Sequence, residues 1–265
     1  MNVRGEDGYE LWLRYRQVDD PDRLAQYRQA VSSVAVLGQS ATAKIIRSEL
    51  ARALPALLGG AVPFAGKKPA DNTLVNALVV GTADELEAAG VAVPQAQRRG
   101  LGEEGFLIRS HRAGRSGQIL IAGNSGPAVL VGIFHFLRLL QTHQDIRALD
   151  VSSCPQIRHR LLVHWDNIDR SIERGYAGPS LWKWDELPTS IDARYHDYAR
   201  ACASIGLNGT ALNNVNAQAK SLTAEYLVKT AALADVFRPY GIRVYLSPVF
   251  SAPTQLGGLA TNDPR

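Results

Sequence analysis

Apolar positions between residues 32 and 142 alternate between two spacings, and the spacings name the elements. The run "SVAVLG" is short and β-branched, and predicts a strand. In the following "TAKIIRSELARALPALLGG", Ile46, Leu50, Leu54 and Leu57 recur on one helical face until Gly59 and Gly60 stop the helix. "TLVNALVVG" predicts a second buried strand, and "TADELEAAG" a short helix opened by the Thr82 and Glu85 spacing of a capping box. "EGFLIRS" and "GQILIAG" flank the turn-rich "HRAGRSG" and predict a hairpin. In "NSGPAVLVGIFHFLRLLQTH", Ser125 is placed to cap a helix with Pro127 in its first turn. Leu130, Ile133, Phe134, Leu137 and Leu140 form its inner stripe.

After the polar, Pro-containing "RALDVSSCPQIRHR" the pattern changes to strict alternation of strand and helix. "RLLVHWD" predicts a buried strand. "IDARYHDYARACASIG" predicts a helix with Tyr195, Tyr198, Ala199, Cys202 and Ile205 inward, and "LNGTALNN" the next strand. "TAEYLVKTAALADVFRPYG" predicts a helix with Leu227, Thr230, Ala231, Ala234 and Phe237 inward, and "IRVYLSPVF" a third strand. That order implies parallel βαβαβ units. Polar clusters end each strand, "HWDN", "NNVNA" and "SPVFSAP", where a (β/α)8 barrel or a doubly wound sheet places its ligands. With no Gly-rich phosphate loop after any of the three, the barrel is favoured. The predicted class is therefore α/β: an N-terminal α/β sandwich domain over 1–150, then the first strands of a (β/α)8 TIM barrel over 151–265. A barrel typically needs ~250 residues, so this one is expected to be incomplete.

Composition narrows the partners. Charged residues are 20% of the 265, and the net charge of +4 comes from arginines dispersed along the chain, not gathered into a basic stripe. Nucleic acid is not an expected partner. No run of ~18 apolar residues occurs and the first residues carry charges where an export signal needs an apolar run, so no membrane partner and a cytoplasmic location are expected. Cys154 and Cys202 have no CxxC spacing, and the histidines form no HExxH; neither a metal nor another cofactor is implied. "GQSATAK" lacks the spacing of a phosphate loop and is read as an ordinary capped helix start, and His135 among apolar neighbours as a packed histidine.

The chemistry concentrates in "HWDNIDRSIERGYAG". Trp165 follows a barrel-like strand and is surrounded by hydrogen-bonding groups, which suits a sugar ring: C–H faces stack on indole while hydroxyls need donors and acceptors. Equally, Trp165 could fill the barrel while Asp166 pairs structurally with Arg170 or Arg174. Asn213, Asn214 and Asn216 around Val215 add a second polar cluster, although asparagine is also an ordinary turn residue. Trp182 and Trp184 in "GPSLWKWDELP" are read first as a cap on the barrel.

The segments "EDGYELWLRY", "EEGFLIRS", "HWDNIDRSIERGYAG", "DYARACASIGLNGTALNNVNA" and "ALADVFRPYGIRVYLS", in this order along nearly the whole chain, resemble the α-glucuronidases of glycoside hydrolase family 67. The resemblance implies hydrolysis, with inversion, of the α-1,2 bond between (4-O-methyl-)glucuronic acid and xylo-oligosaccharides, and allows a homodimer for the full-length protein. It implies that Trp165 and Val215 shape the sugar pocket near the 4-O-methyl group and that Glu173 and Arg174 contact the glucuronic acid, with Asn214 added from position alone. The family's acid and base lie on later barrel strands and match no residue here, so the chain is expected to be an inactive fragment that folds poorly alone. Two other readings are a noncatalytic carbohydrate-binding protein using Trp165, and another two-domain glycosidase such as a β-hexosaminidase-like enzyme.

Overall fold

The structure is a computed structural model that describes residues 7–65, 75–113, 116–175 and 178–259. It divides into two compact units, Met1–Gln156 and Ile157–Arg265.

In the first unit the chain runs α1 (Pro21–Ala30), β1 (Ser33–Val36), α2 (Ala41–Leu58), β2 (Ala77–Thr82), α3 (Ala83–Ala88), α4 (Gln95–Leu101), β3 (Phe106–Ala113), β4 (Ser116–Gly123), α5 (Gly126–Gln141) and β5 (Asp150–Ser153). The sheet order is β1-β2-β4-β3-β5. β1, β2 and β4 are parallel, and β3 runs antiparallel to both β4 and β5. Residues 73 and 74 of the second predicted strand, and 114 and 115 of the predicted hairpin turn, lie outside the described residues.

Strands buried on both faces read as continuous apolar runs, which is why "ALVV" shows no alternation. Ala77, Val79, Leu107 and Ala122 face Leu86 of α3 and Leu101 of α4. On the opposite face α5 lies so close that a Cβ on Gly132 would come within 3.0 Å of Ile121 and 3.1 Å of Phe106. The predicted stripes of α2 and α5 are buried throughout. Their starts are fixed by Ser40, whose hydroxyl accepts from the Ala43 amide at 3.1 Å, and Ser125, which accepts from Ala128 at 3.3 Å. Thr82 and Glu85 form the reciprocal capping box. His135 packs on Phe106, ring centres 5.4 Å apart, and burial lowers its pKa.

Residues 150–153 extend the first sheet as β5, because Phe106 to Arg109 of β3 offer an unpaired edge for Asp150 to Ser153 to complete. The compact unit reaches Gln156, inside the polar segment "RALDVSSCPQIRHR" where the sequence pattern changes and past position 150.

The second unit contains β6 (Leu161–Val163), α6 (Ala193–Ser204), β7 (Gly209–Ala211), α7 (Ala224–Phe237), β8 (Arg243–Tyr245) and α8 (Ala252–Gly257). Its sheet is β6-β7-β8, parallel throughout. Its core gathers Trp182, Trp184, Tyr195, Leu212, Leu233 and Phe237, so the two tryptophans fill the interior instead of facing a ligand. Three expectations change. β6 is not a buried strand: Leu162 and Val163 are 43% and 57% exposed, because β6 is paired on one side only. Ile205, read as inward, is exposed at the end of α6. α7 turns Tyr226, Leu233, Val236 and Phe237 inward and leaves Leu227 and Ala231 outside. With Leu227, Val228, Ala231, Ala232 and Leu233 the helix is apolar on most sides, so spacing selects no face; the aromatic cluster around Trp182 does.

The two thiols differ in accessibility. Cys154 is exposed, whereas Cys202 is buried in α6 and burial pushes its thiol pKa up. Iodoacetamide at neutral pH is expected to modify Cys154 in the folded chain and Cys202 only after urea unfolding. Peptide mass spectrometry checks this, and equal rates at both sites would contradict the packing of α6.

Candidate functional site

Side chains of an extended segment point alternately to opposite faces, and the residues leaving β6 divide in this way. His164 turns to the helix side, where its Nε2 is 2.9 Å from the Tyr198 hydroxyl, itself 2.8 Å from Thr210 Oγ1 of β7. Burial drives the Tyr198 pKa well up, so its hydroxyl stays neutral. Trp165 turns the other way and is 46% exposed. Asp166 turns back in and is 5% exposed; its Oδ2 accepts from Ser180 Oγ at 2.5 Å, and its Oδ1 lies 3.7 Å from His164 Nδ1. Neither Arg170 nor Arg174 pairs with it, which replaces the ion pair anticipated from sequence. The buried Ser180 hydroxyl hydrogen-bonds the carboxylate, with the part-buried His164 ring nearby, where a guanidinium would have to be desolvated.

The segment after Asp166 folds back on itself. Asp166 bridges Ile172 in antiparallel fashion, the Ser171 amide donates to Asp169 Oδ1 at 2.9 Å, and the Glu173 amide donates to the Trp165 carbonyl at 2.9 Å. Arg170 and Arg174 take left-handed conformations, φ 71° and 62°, that close this turn. The turn brings the Arg174 guanidinium to 5.9 Å from the Trp165 ring centre. Tyr176 and Ala177 of the same segment lie outside the described residues.

The end of β7 supplies the neighbouring wall. Asn213 is buried, and donates to the Ser247 carbonyl at 2.8 Å while accepting from the Ser247 amide at 3.1 Å, tying the end of β7 to that of β8. Val215 is 53% exposed. Asn216 donates from Nδ2 to Glu173 Oε1 at 2.8 Å, which brings the two strand ends together. Asn214 is 3% exposed and lies beneath both. Of the five residues singled out, Trp165, Val215, Glu173 and Arg174 thus present side chains at the surface of one strand-end cluster, and Asn214 does not. Beside Val215 runs an apolar groove of about 740 Å³ lined by Leu222, Leu246, Pro248, Val249 and Phe250. The "SPVFSAP" cluster was its only sequence signal, and its polar residues hid the apolar ones.

An exposed indole with a nearby cation, a second apolar side chain and a carboxylate held by an amide can stack one face of a sugar and hydrogen-bond its rim. Among the described residues it holds no facing carboxylate pair: Asp166 is buried and Glu173 is engaged by Asn216. Among the described residues no group of three His, Cys, Asp or Glu could hold a metal ion.

The chain is 34% identical over 264 residues to a probable alpha-glucuronidase A of Aspergillus fumigatus, and 34% over 266 residues to alpha-glucuronidase A of Emericella nidulans. Each match covers 98% of this chain, which spans about 30% of the length of each relative. A probable alpha-glucuronidase A of Aspergillus terreus is 42% identical over 161 residues, 61% of this chain and 18% of that protein. A solved GH138 enzyme targeting pectin rhamnogalacturonan II shares the fold at a TM-score of 0.54 and 14% identity, over 87% of this chain and 26% of the enzyme. Residues 11–136 match the glycosyl hydrolase family 67 N-terminus and residues 139–265 the family 67 middle domain, and the chain therefore belongs to glycosyl hydrolase family 67.

Proposed function

We propose that this chain contributes the N-terminal domain and the sugar-holding wall of an α-glucuronidase that hydrolyses, with inversion, the α-1,2 bond between (4-O-methyl-)glucuronic acid and xylo-oligosaccharides. In this reading β6, β7 and β8 are the first three strands of a (β/α)8 barrel. Their parallel pairing through helical crossovers and the polar clusters at their C-terminal ends support it. The observation that carries the substrate assignment is the half-exposed Trp165 with Arg174 beside its ring and Glu173 held against the Val215 loop. The indole and Val215 offer the apolar contacts that an O-methyl group and a pyranose face need, and the Arg174 cation complements the uronate. Inversion requires an acid and an opposed base roughly 6.5–9.5 Å apart. Neither role is assigned to Asp166, which is buried against Ser180, or to Glu173, which is held by Asn216 within the wall.

Calorimetric titration of the chain tests the reading. Oligosaccharides bearing 4-O-methylglucuronic acid are expected to bind, and unsubstituted xylo-oligosaccharides of the same length to bind at least tenfold more weakly, with no hydrolysis of either. Equal affinity for both would overturn the uronic-acid assignment, and release of glucuronic acid by these residues alone would place the acid and base within them.

A further inference from the structure

We infer that Asn214 is a positioning residue, which sets the orientation of the Trp165 platform from beneath through a ring of hydrogen bonds joining the two strand ends. The inference rests on the sugar-wall reading only for what the platform binds.

The Asn214 side chain is buried and entirely committed to the backbone and side chains of both loops. Its Nδ2 lies 3.3 Å from the Trp165 carbonyl, 3.3 Å from the Asp166 carbonyl and 2.7 Å from Asn167 Oδ1, three acceptors for two N–H groups. Its backbone amide donates to the Asp166 carbonyl at 3.2 Å, and its Oδ1 accepts from the Asn216 amide at 2.6 Å. Asn216 in turn donates to Glu173, and the Glu173 amide donates to Trp165. The ring Trp165–Glu173–Asn216–Asn214 is thereby closed. Every link in it holds backbone or an uncharged amide, so one buried residue fixes both the turn carrying Trp165 and Arg174 and the loop presenting Val215. An unmade bond to a buried group costs more than a made one contributes, so the ring stands or falls together. Glu173 enters it through its amide and its carboxylate, which makes its first task the geometry of the wall.

The test reads the platform directly. With 5-fluorotryptophan incorporated, each of the four tryptophans contributes one 19F signal, and Trp165→Phe identifies that of Trp165. In Asn214→Ala the Trp165 signal is expected to shift and broaden while those of Trp182 and Trp184 stay in place, and 4-O-methylglucuronic acid is expected to bind at least tenfold more weakly. Asn214→Asp keeps the size and the acceptor for Asn216 but turns the donor end into an oxygen facing three oxygens, and is expected to behave no better than alanine. An unchanged Trp165 signal in both variants overturns the proposal. If the Trp182 and Trp184 signals collapse too, Asn216→Ala, which opens the ring at an exposed position, decides: Trp165 alone must respond. Should the wild-type chain show no response to the sugar acid, the sugar-wall reading fails, while the response of Trp165 to Asn214→Ala still decides the ring.

Discussion

Replacing Trp182 with alanine is expected to unfold residues 157–265 at denaturant concentrations that leave α2 and α5 protected from hydrogen exchange. The indole is 0% exposed and touches four rings: His164, Tyr198, Tyr195 and Phe237, at 5.0, 5.4, 5.8 and 5.9 Å between centres. Emptying such a site costs about 3–5 kcal/mol, against a typical domain stability of about 5–15 kcal/mol. Among the described residues the indole N–H has no hydrogen-bond partner, so the loss is one of packing and volume. Trp182→Phe should therefore keep most of the stability, because it also removes a buried donor without an acceptor among the described residues. Urea unfolding followed by near-ultraviolet circular dichroism, with exchange measured separately over α6 and α2, checks both variants. A loss below about 1 kcal/mol for alanine would show that the cluster repacks. The effect reaches the candidate site as well: the Trp182 amide donates to Ser180 Oγ at 3.0 Å, and that hydroxyl donates to Asp166, the neighbour of Trp165.

Two kinds of signal decided what could be read from the sequence. Where one face of an element meets a core and the other meets water, spacing was sufficient: Ile46, Leu50, Leu54 and Leu57 of α2 are all buried, and Thr82 with Glu85 caps α3 as the motif requires. Helix α1 carries no clear apolar stripe, because only Leu24 and Tyr27 mark its inner face. The Asp20 cap, accepting from the Asp22 and Arg23 amides with Pro21 following, was the available sign. The inner face of α7 is hidden for the opposite reason, an excess of apolar residues. In the candidate site, residue type and position at a strand end left Trp165 open between a sugar platform and a barrel filler, and Val215 was marked by the family resemblance alone. Type and position could not separate Asn214 from Asn216, since an asparagine that clamps carbonyls and one that meets solvent look the same in a string of letters. The difference is one of depth: Asn214 lies buried under the Trp165 loop with its amide fully used, and Asn216 sits exposed at the rim.

Trp165→Ala is expected to weaken binding of 4-O-methylglucuronic acid at least 30-fold while moving the thermal midpoint of the chain by no more than a few degrees. The two halves of that expectation follow from one fact, that Trp165 is half exposed. Its exposed face contributes nothing to folding, and its buried part touches a turn held independently by the amides of Glu173 and Asn214. A ligand stacked on that face gains all of the contact, and a tryptophan at the centre of a binding surface is commonly worth about 2 kcal/mol or more, which is the 30-fold change. Arg174→Ala should cost less, since an exposed cation near an indole is worth about 0.5–1 kcal/mol, and its loss should be felt mainly by the uronate and should shrink as salt is raised. Titration of the three proteins with 4-O-methylglucuronic acid at low and high ionic strength separates the two contributions. A Trp165→Ala chain that binds as well as wild type would mean that the sugar is held elsewhere. One that melts far below wild type would mean that the indole belongs to the core, with its exposure concealing a structural role.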